Sequence, residues 1–304
     1  MSTVEETLAW EAEWRPRAAT AAILGGLLSF AGIVGYVFIT SGEPDDTTGA
    51  VTVVESLRGA VTGQAPTESS LEVRQVDYLG DKVALLSLTT IASILGTLLA
   101  LGALTYLFRA TRARNPQVSR AVGWSIAAAL ALYPLGTALK DFGTWIGWSN
   151  FADASERTAG AARDIEIEGI VPAGAILQAL GIFAFAIAIV LVSINAMRVG
   201  LLTRFLGILG VIIGAIVVLA FGLAPLLLLF WLTFVGLVIA GRSAGGPPPA
   251  WATGRAEPWP TQQELRERRD AVRAEHAPAP EPAADEAPAP KPHPQSKKKK
   301  KKRR

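Results

Sequence analysis

The densest group of functional side chains ends the chain: Lys297, Lys298, Lys299, Lys300, Lys301, Lys302, Arg303 and Arg304. Their chemistry is electrostatic. A basic run held near anionic lipid gains about 1 kcal/mol per charge close to the surface. The same run can hold RNA phosphates without base readout, or simply keep a chain end in solution. No aromatic residue is interleaved for base stacking, so specific nucleic-acid recognition is not expected. Lipid contact is the first reading, because a tether joins the run to an apolar body.

The polar residues within that body are mild. Thr89, Thr90, Ser93 and Thr97 lie along one apolar stretch, and Gln178 and Asn195 bracket another. Hydroxyls and amides of this kind commonly hydrogen-bond between membrane helices, at roughly 0.6–2 kcal/mol each. Packing is the expected use. A weakly polar permeation path is the alternative.

Most other chemistry is excluded by residue type. Cysteine is absent, and the two histidines, His276 and His293, fall in a polar C-terminal region. Thiolate metal sites and haem held between helical histidines are therefore ruled out. No apolar stretch holds Asp, Glu, Lys, Arg or His. Proton relays and ion-coupled transport usually need such groups inside the bilayer. No phosphate-cradling glycine signature with a following lysine occurs. These absences assign no catalytic, cofactor-binding or metal-ligating residue, so the chain is not expected to be an enzyme.

The elements that hold these side chains are set by hydropathy. Of 304 residues, 50% are hydrophobic and only 18% charged, with a mean hydropathy of +0.35. A membrane span needs about 20 apolar helical residues. Six stretches qualify: Ala18–Thr40, Val83–Phe108, Ala121–Ala138, Pro172–Ala196, Phe205–Gly222 and Leu226–Gly241. The last two are short and separated by Gly222-Leu-Ala-Pro225, so one long kinked helix is the competing reading. Residues 1–17 form an N-terminal segment and 18–241 the transmembrane domain, with outer loops 41–82 and 139–171.

Charge alternates between these stretches. Loops 41–82 and 139–171 carry net −5 and −3, whereas 109–120, 197–204 and 242–304 carry +4, +2 and +7. Lys and Arg favour the cytoplasmic side. Six spans with both termini in the cytoplasm satisfy that rule, and a single kinked helix in place of the last pair does not. The expected location is the plasma (inner) membrane. Ala18–Thr40 exceeds the roughly 7–15 residues of a signal-peptide core, so it reads as a retained anchor.

Aromatic residues mark the ends of the spans. Phe142, Trp145, Trp148 and Phe151 recur every three residues beside Lys140 and Asp141, placing them near one helical face. Without an evident polar cluster there, Trp145 and Trp148 are expected as interface anchors at the outer membrane surface. A ligand-stacking wall is the alternative. Trp10 and Trp14 look like the inner anchors, on a short amphipathic helix before the first span. Within the outer loops, Val51–Glu55 is strand-like, and Ser70–Asp81 and Asp153–Glu168 are helical in pattern. These loops are read as connectors.

From Arg242 onward Pro, Ala and charges dominate, with few large aliphatics. Such a segment cannot bury enough apolar surface to offset its ordering entropy. Residues 242–304 are therefore expected to form a disordered tail. One short helix over 261–274 is expected inside it, because Thr261 and Glu264 form a capping-box pattern.

The run Asn195-Ala-Met-Arg-Val-Gly-Leu-Leu-Thr-Arg-Phe-Leu-Gly-Ile-Leu-Gly210 resembles the inner-loop signature of uncharacterised multi-pass membrane proteins of high-GC bacteria. Pro249-Ala-Trp-Ala-Thr-Gly-Arg-Ala-Glu-Pro-Trp-Pro260 is similar to the segment after the last span in some of them. The resemblance implies no activity and carries over no catalytic residue.

The sequence thus describes an all-α, integral membrane six-helix bundle with a polybasic tail. A non-enzymatic scaffold or accessory component is the leading role. A transporter or channel for a small neutral or lipid-like solute is the alternative. Expected partners are the bilayer, anionic inner-leaflet lipids, other membrane proteins and, through the tail, RNA held without specificity.

Overall fold

A computed structural model describes residues 3–45, 61–63, 71–154, 157–219, 224–243, 246–259 and 262–275. The chain divides into two compact units, 1–259 and 260–304. The first is built from helices α1 (Val4–Thr40), α2 (Leu71–Gly80), α3 (Val83–Arg114), α4 (Ala121–Ala152), α5 (Ala159–Ile167), α6 (Val171–Arg198), α7 (Arg204–Val218), α8 (Ala224–Ile239) and the single turn α9 (Ala250–Thr253). The second contains α10 (Gln262–Glu275), close to the helix expected over 261–274. The described residues contain no strand. Val51–Glu55, Thr261 and Lys297–Arg304 lie outside them.

Four helices, α1, α3, α4 and α6, are long and apolar enough to cross a membrane. At 1.5 Å per residue they run from about 42 to 55 Å. Helices α7 and α8 have 15 and 16 residues. They are two separate helices that pack on each other, which removes the reading of one long kinked helix. The Trp231 indole, fully buried, donates to the Leu206 carbonyl at 2.9 Å and ties them together.

Each long helix exceeds its apolar core. Helix α1 starts at Val4, where Thr3 and Glu6 form a capping box, and passes through Pro16 without a break. The segment carrying Trp10 and Trp14 is therefore the first part of α1, not a separate helix. Helix α4 likewise continues past Ala138 to Ala152. Lys140 and Asp141 thus sit on a continuous helix, not in a connecting loop.

Close helix pairs run α1–α3, α4–α6, α6–α7 and α1–α8, with α3 also touching α4 and α6. Small residues permit this spacing. A side chain at Gly25 would meet the Ala100 backbone at 2.7 Å, and Gly96 sits equally tightly against Ser29. On α6, Gly174 and Gly181 lie against the backbones of Lys140 and Tyr133, while Gly136 of α4 lies against Gln178. Backbones approach closely at such positions, and dispersion and interhelical hydrogen bonds replace the hydrophobic effect, which is weak between helices in lipid.

Candidate functional site

The two ends of the bundle differ in construction. One end is capped by α2 and α5. Val73 and Val76 of α2, Leu86 of α3, Trp145, Trp148 and Phe151 of α4, and Ala162 of α5 form a separate buried core. Ion pairs Arg157–Asp77 and Arg163–Glu72 cross the cap. Tyr78 donates to the Ile39 carbonyl at 3.0 Å, fastening α2 to the end of α1.

This arrangement corrects the expectation for Trp145 and Trp148. They are 7% and 8% exposed, packed beneath the cap instead of standing against lipid. Periodicity locates the stripe on one face; it does not say that protein covers that face. Phe142, 43% exposed, remains outside and meets Trp145 edge-on with ring centroids 4.7 Å apart.

Beneath the cap lies a cavity of about 470 Å³. Trp145 and Trp148 form part of its wall, with Tyr36 and Thr40 of α1 and Thr90 of α3. Four charged residues line it as well: Glu43, Lys140, Asp141 and Glu166. Lys140 Nζ is 3.2 Å from Asp141 Oδ1, and the Thr90 hydroxyl donates to Asp141 Oδ2 at 2.7 Å. Asp141 is thereby held by a cation and a hydroxyl. Glu43 is different. Burial, and then the nearby Glu166 carboxylate, push its carboxyl above the usual range. The polar convergence missing from the linear sequence is thus built from α1, α3, α4, α5 and the residues just after α1.

A second cavity, about 170 Å³, lies between the helices. Ser29, Ser93, Thr97 and Tyr133 supply its polar lining, and Phe185, Val217, Pro225 and Leu228 much of the rest. The two cavities share no lining residue. The span polar groups are largely bonded nearby: Thr89 to the Leu86 carbonyl, Asn195 to the Leu191 carbonyl, and Gln178 to the Thr137 hydroxyl at 3.0 Å.

The opposite end, here the base, is sealed. Glu11 of α1 pairs with Arg114 of α3; their side chains are 4% and 0% exposed. Arg114 Nη2 also donates to the Ala250 carbonyl at 2.7 Å. Trp251, 4% exposed, lies 6.0 Å from Tyr106, which in turn stacks on Trp10 at 5.2 Å. The guanidiniums of Arg15 and Arg114 stand 5.0 and 5.5 Å from the Trp251 ring. Its indole donates to the Leu201 carbonyl at 3.0 Å, and the Trp259 indole donates to Leu202 at 2.8 Å.

Residues 246–259 are therefore folded across the base, contrary to the expectation of disorder from Arg242 onward. Composition misleads because ordering here rests on a few large contacts, not on average hydropathy. Two tryptophans each satisfy a carbonyl of the α6–α7 turn, and Trp251 buries its whole ring. Gly200 completes the fit: its φ is +79°, and a Cβ there would strike the Glu257 carbonyl. The Glu257 amide returns a bond to Val199 at 3.0 Å.

Taken together, four long apolar helices and a cap of two short ones define an all-helical membrane protein. No protein-family model, curated protein or solved structure matches the chain. Among the described residues no group of three or more His, Cys, Asp or Glu is placed to hold a metal ion.

Proposed function

We propose that this protein is a non-enzymatic scaffold or accessory component of the plasma membrane. In this reading α7 and α8 complete six spans, both termini are cytoplasmic, and Lys297–Arg304 contacts anionic lipid. The sealed base carries the reading. A through-passage would have to open the Glu11–Arg114 pair and lift Trp251, both buried and bonded on several sides. The orientation draws support from charge: the basic segments 109–120, 197–204 and 242–304 belong to one side by the Lys/Arg rule.

The chain lacks cysteine, so single-cysteine labelling reads topology directly. Ser119→Cys is expected to react only from the cytoplasmic side and Asp153→Cys only from outside; the reverse pattern overturns the orientation. For the role itself, affinity capture from membranes with and without 297–304 is expected to return a recurrent membrane-protein partner. Purified protein in liposomes is expected to leave the permeation of small neutral solutes unchanged. Saturable flux through the wild-type protein would favour the second reading, a transporter for a neutral or lipid-like solute. The observation on its side is the hydroxyl-lined cavity at Ser29, Ser93, Thr97 and Tyr133.

A further inference from the structure

We propose that the cavity beneath the cap is a binding site for the ammonium group of a small organic cation. Such binding is compatible with either a scaffold or a transporter. The cavity volume of about 470 Å³ falls within the usual range for small-molecule sites.

The charges set the sign of the ligand. Lys140 is committed to Asp141 at 3.2 Å, and Thr90 holds the other oxygen of that carboxylate. Two cap arginines are paired as well, Arg157 with Asp77 and Arg163 with Glu72, and the third described one, Arg74, does not line the cavity. Glu43 and Glu166 line the same space, neither in an ion pair among the described residues, and the Glu166 carboxylate acts on Glu43. No base among the described residues lowers the Glu43 carboxyl; burial and Glu166 both raise it. A cation placed between the two carboxylates relieves that repulsion.

The walls set the kind of cation. Trp145 and Trp148 line the cavity while more than nine-tenths buried. Tyr36 stands within electrostatic reach of Lys140, Asp141, Glu43 and Glu166 together. Aromatic faces beside carboxylates attract alkylammonium groups, which are held by the ring quadrupole as well as by charge. The described acids do not group in the manner a chelated metal needs. The ammonium could come from a free solute or from a zwitterionic lipid headgroup.

The test uses the full-length protein in maltoside micelles and isothermal titration with choline. Saturable binding is expected, with weak or no binding of the uncharged isostere 3,3-dimethylbutan-1-ol. Glu43→Gln and Glu166→Gln are each expected to weaken choline binding about tenfold, the loss of one charge partner. Glu168→Gln, which removes an acid that does not line this cavity, is expected to leave it unchanged. Thermal melts check that each variant is folded. Titrations in nanodiscs of phosphatidylethanolamine and of phosphatidylglycerol separate the sources: competition only by the former marks a lipid headgroup, and none marks a free solute. The proposal is overturned by equal binding of the isostere, by choline binding indifferent to both glutamate changes, or by no saturable binding to ~10 mM, below which even weak sites are detected.

Discussion

Glu11 and Arg114, 103 residues apart, meet in a two-pronged ion pair sealed inside the base of the bundle. The second prong, Arg114 Nη2 to Glu11 Oε2, is 3.0 Å. Arg114 also bonds the Ala110 and Ala250 carbonyls, so its donors are shared among α1, α3 and α9. Taking both charges out of water is costly, and the pair holds only because its lone pairs and protons are used.

Breaking the pair from one side leaves a buried charge alone. Glu11→Leu or Arg114→Met is expected to cost about 3–5 kcal/mol, and the double variant distinctly less than the sum of the two. Thermal denaturation in micelles measures this. Additive losses would mean that the two residues are not coupled.

The folded segment 246–259 makes a prediction about truncation. Ending the chain after Trp259 is expected to leave the melting temperature of the body unchanged, because 260–304 forms a separate unit. Ending it after Arg242 removes Trp251 and its contacts and is expected to destabilise strongly. Trp251→Ala alone is expected to cost about 3–5 kcal/mol, as for other buried tryptophans. Differential scanning fluorimetry of the three chains distinguishes these outcomes.

Gly200 is constrained twice, by its φ of +79° and by the Glu257 carbonyl. Gly200→Ala is expected to cost at least about 1–2 kcal/mol, from backbone strain of a left-handed non-glycine residue plus displacement of 246–259. Limited proteolysis reports the displacement: cleavage within 246–259 is expected to accelerate in the variant.

Glu43 makes stability depend on pH with a definite sign. Its carboxyl is raised by burial and by Glu166, so the folded chain keeps that proton where the unfolded chain has released it. Stability therefore falls as pH rises from the ordinary glutamate value, about 4.3, through the raised folded value. Glu43→Gln removes the carboxylate and is expected to be more stable than wild type at pH 7. Partial exposure and screening keep the gain below about 1 kcal/mol. The difference is expected to vanish near pH 4, as read by melts in cation-free buffer across that range.

Hydropathy makes the long helices legible, because a run such as Pro172–Ala196 leaves few alternatives. Helix ends are less so. Lys140 and Asp141 stop a hydropathy window but not a helix, and α4 runs on to Ala152. The spacing of Trp145 and Trp148 marks the right face and leaves its neighbour unnamed. The signal is present in α2, where Val73 and Val76 repeat the spacing of three. Trp251 and Trp259 are also readable in retrospect: a large aromatic close to Pro in an otherwise small-residue segment is an anchor that composition averages away. The cavity charges lie on α4, on α5 and just beyond α1, so only the tertiary fold brings them together. The basic tail beyond Glu275 lies outside the described residues.

If α7 and α8 are the last two membrane spans, as proposed, their length has a mechanical consequence for the surrounding lipid. At 15 and 16 residues they span about 22–24 Å, short of a hydrocarbon core near 30 Å. Their neighbours α1 and α6 are far longer. With α7 and α8 as the proposed last two spans, their flank of this unit is thinner than that of α1 and α6. Lipid beside that flank must thin, or another protein must cover the gap. A mismatched edge of this kind sorts a protein toward thinner membrane and toward company.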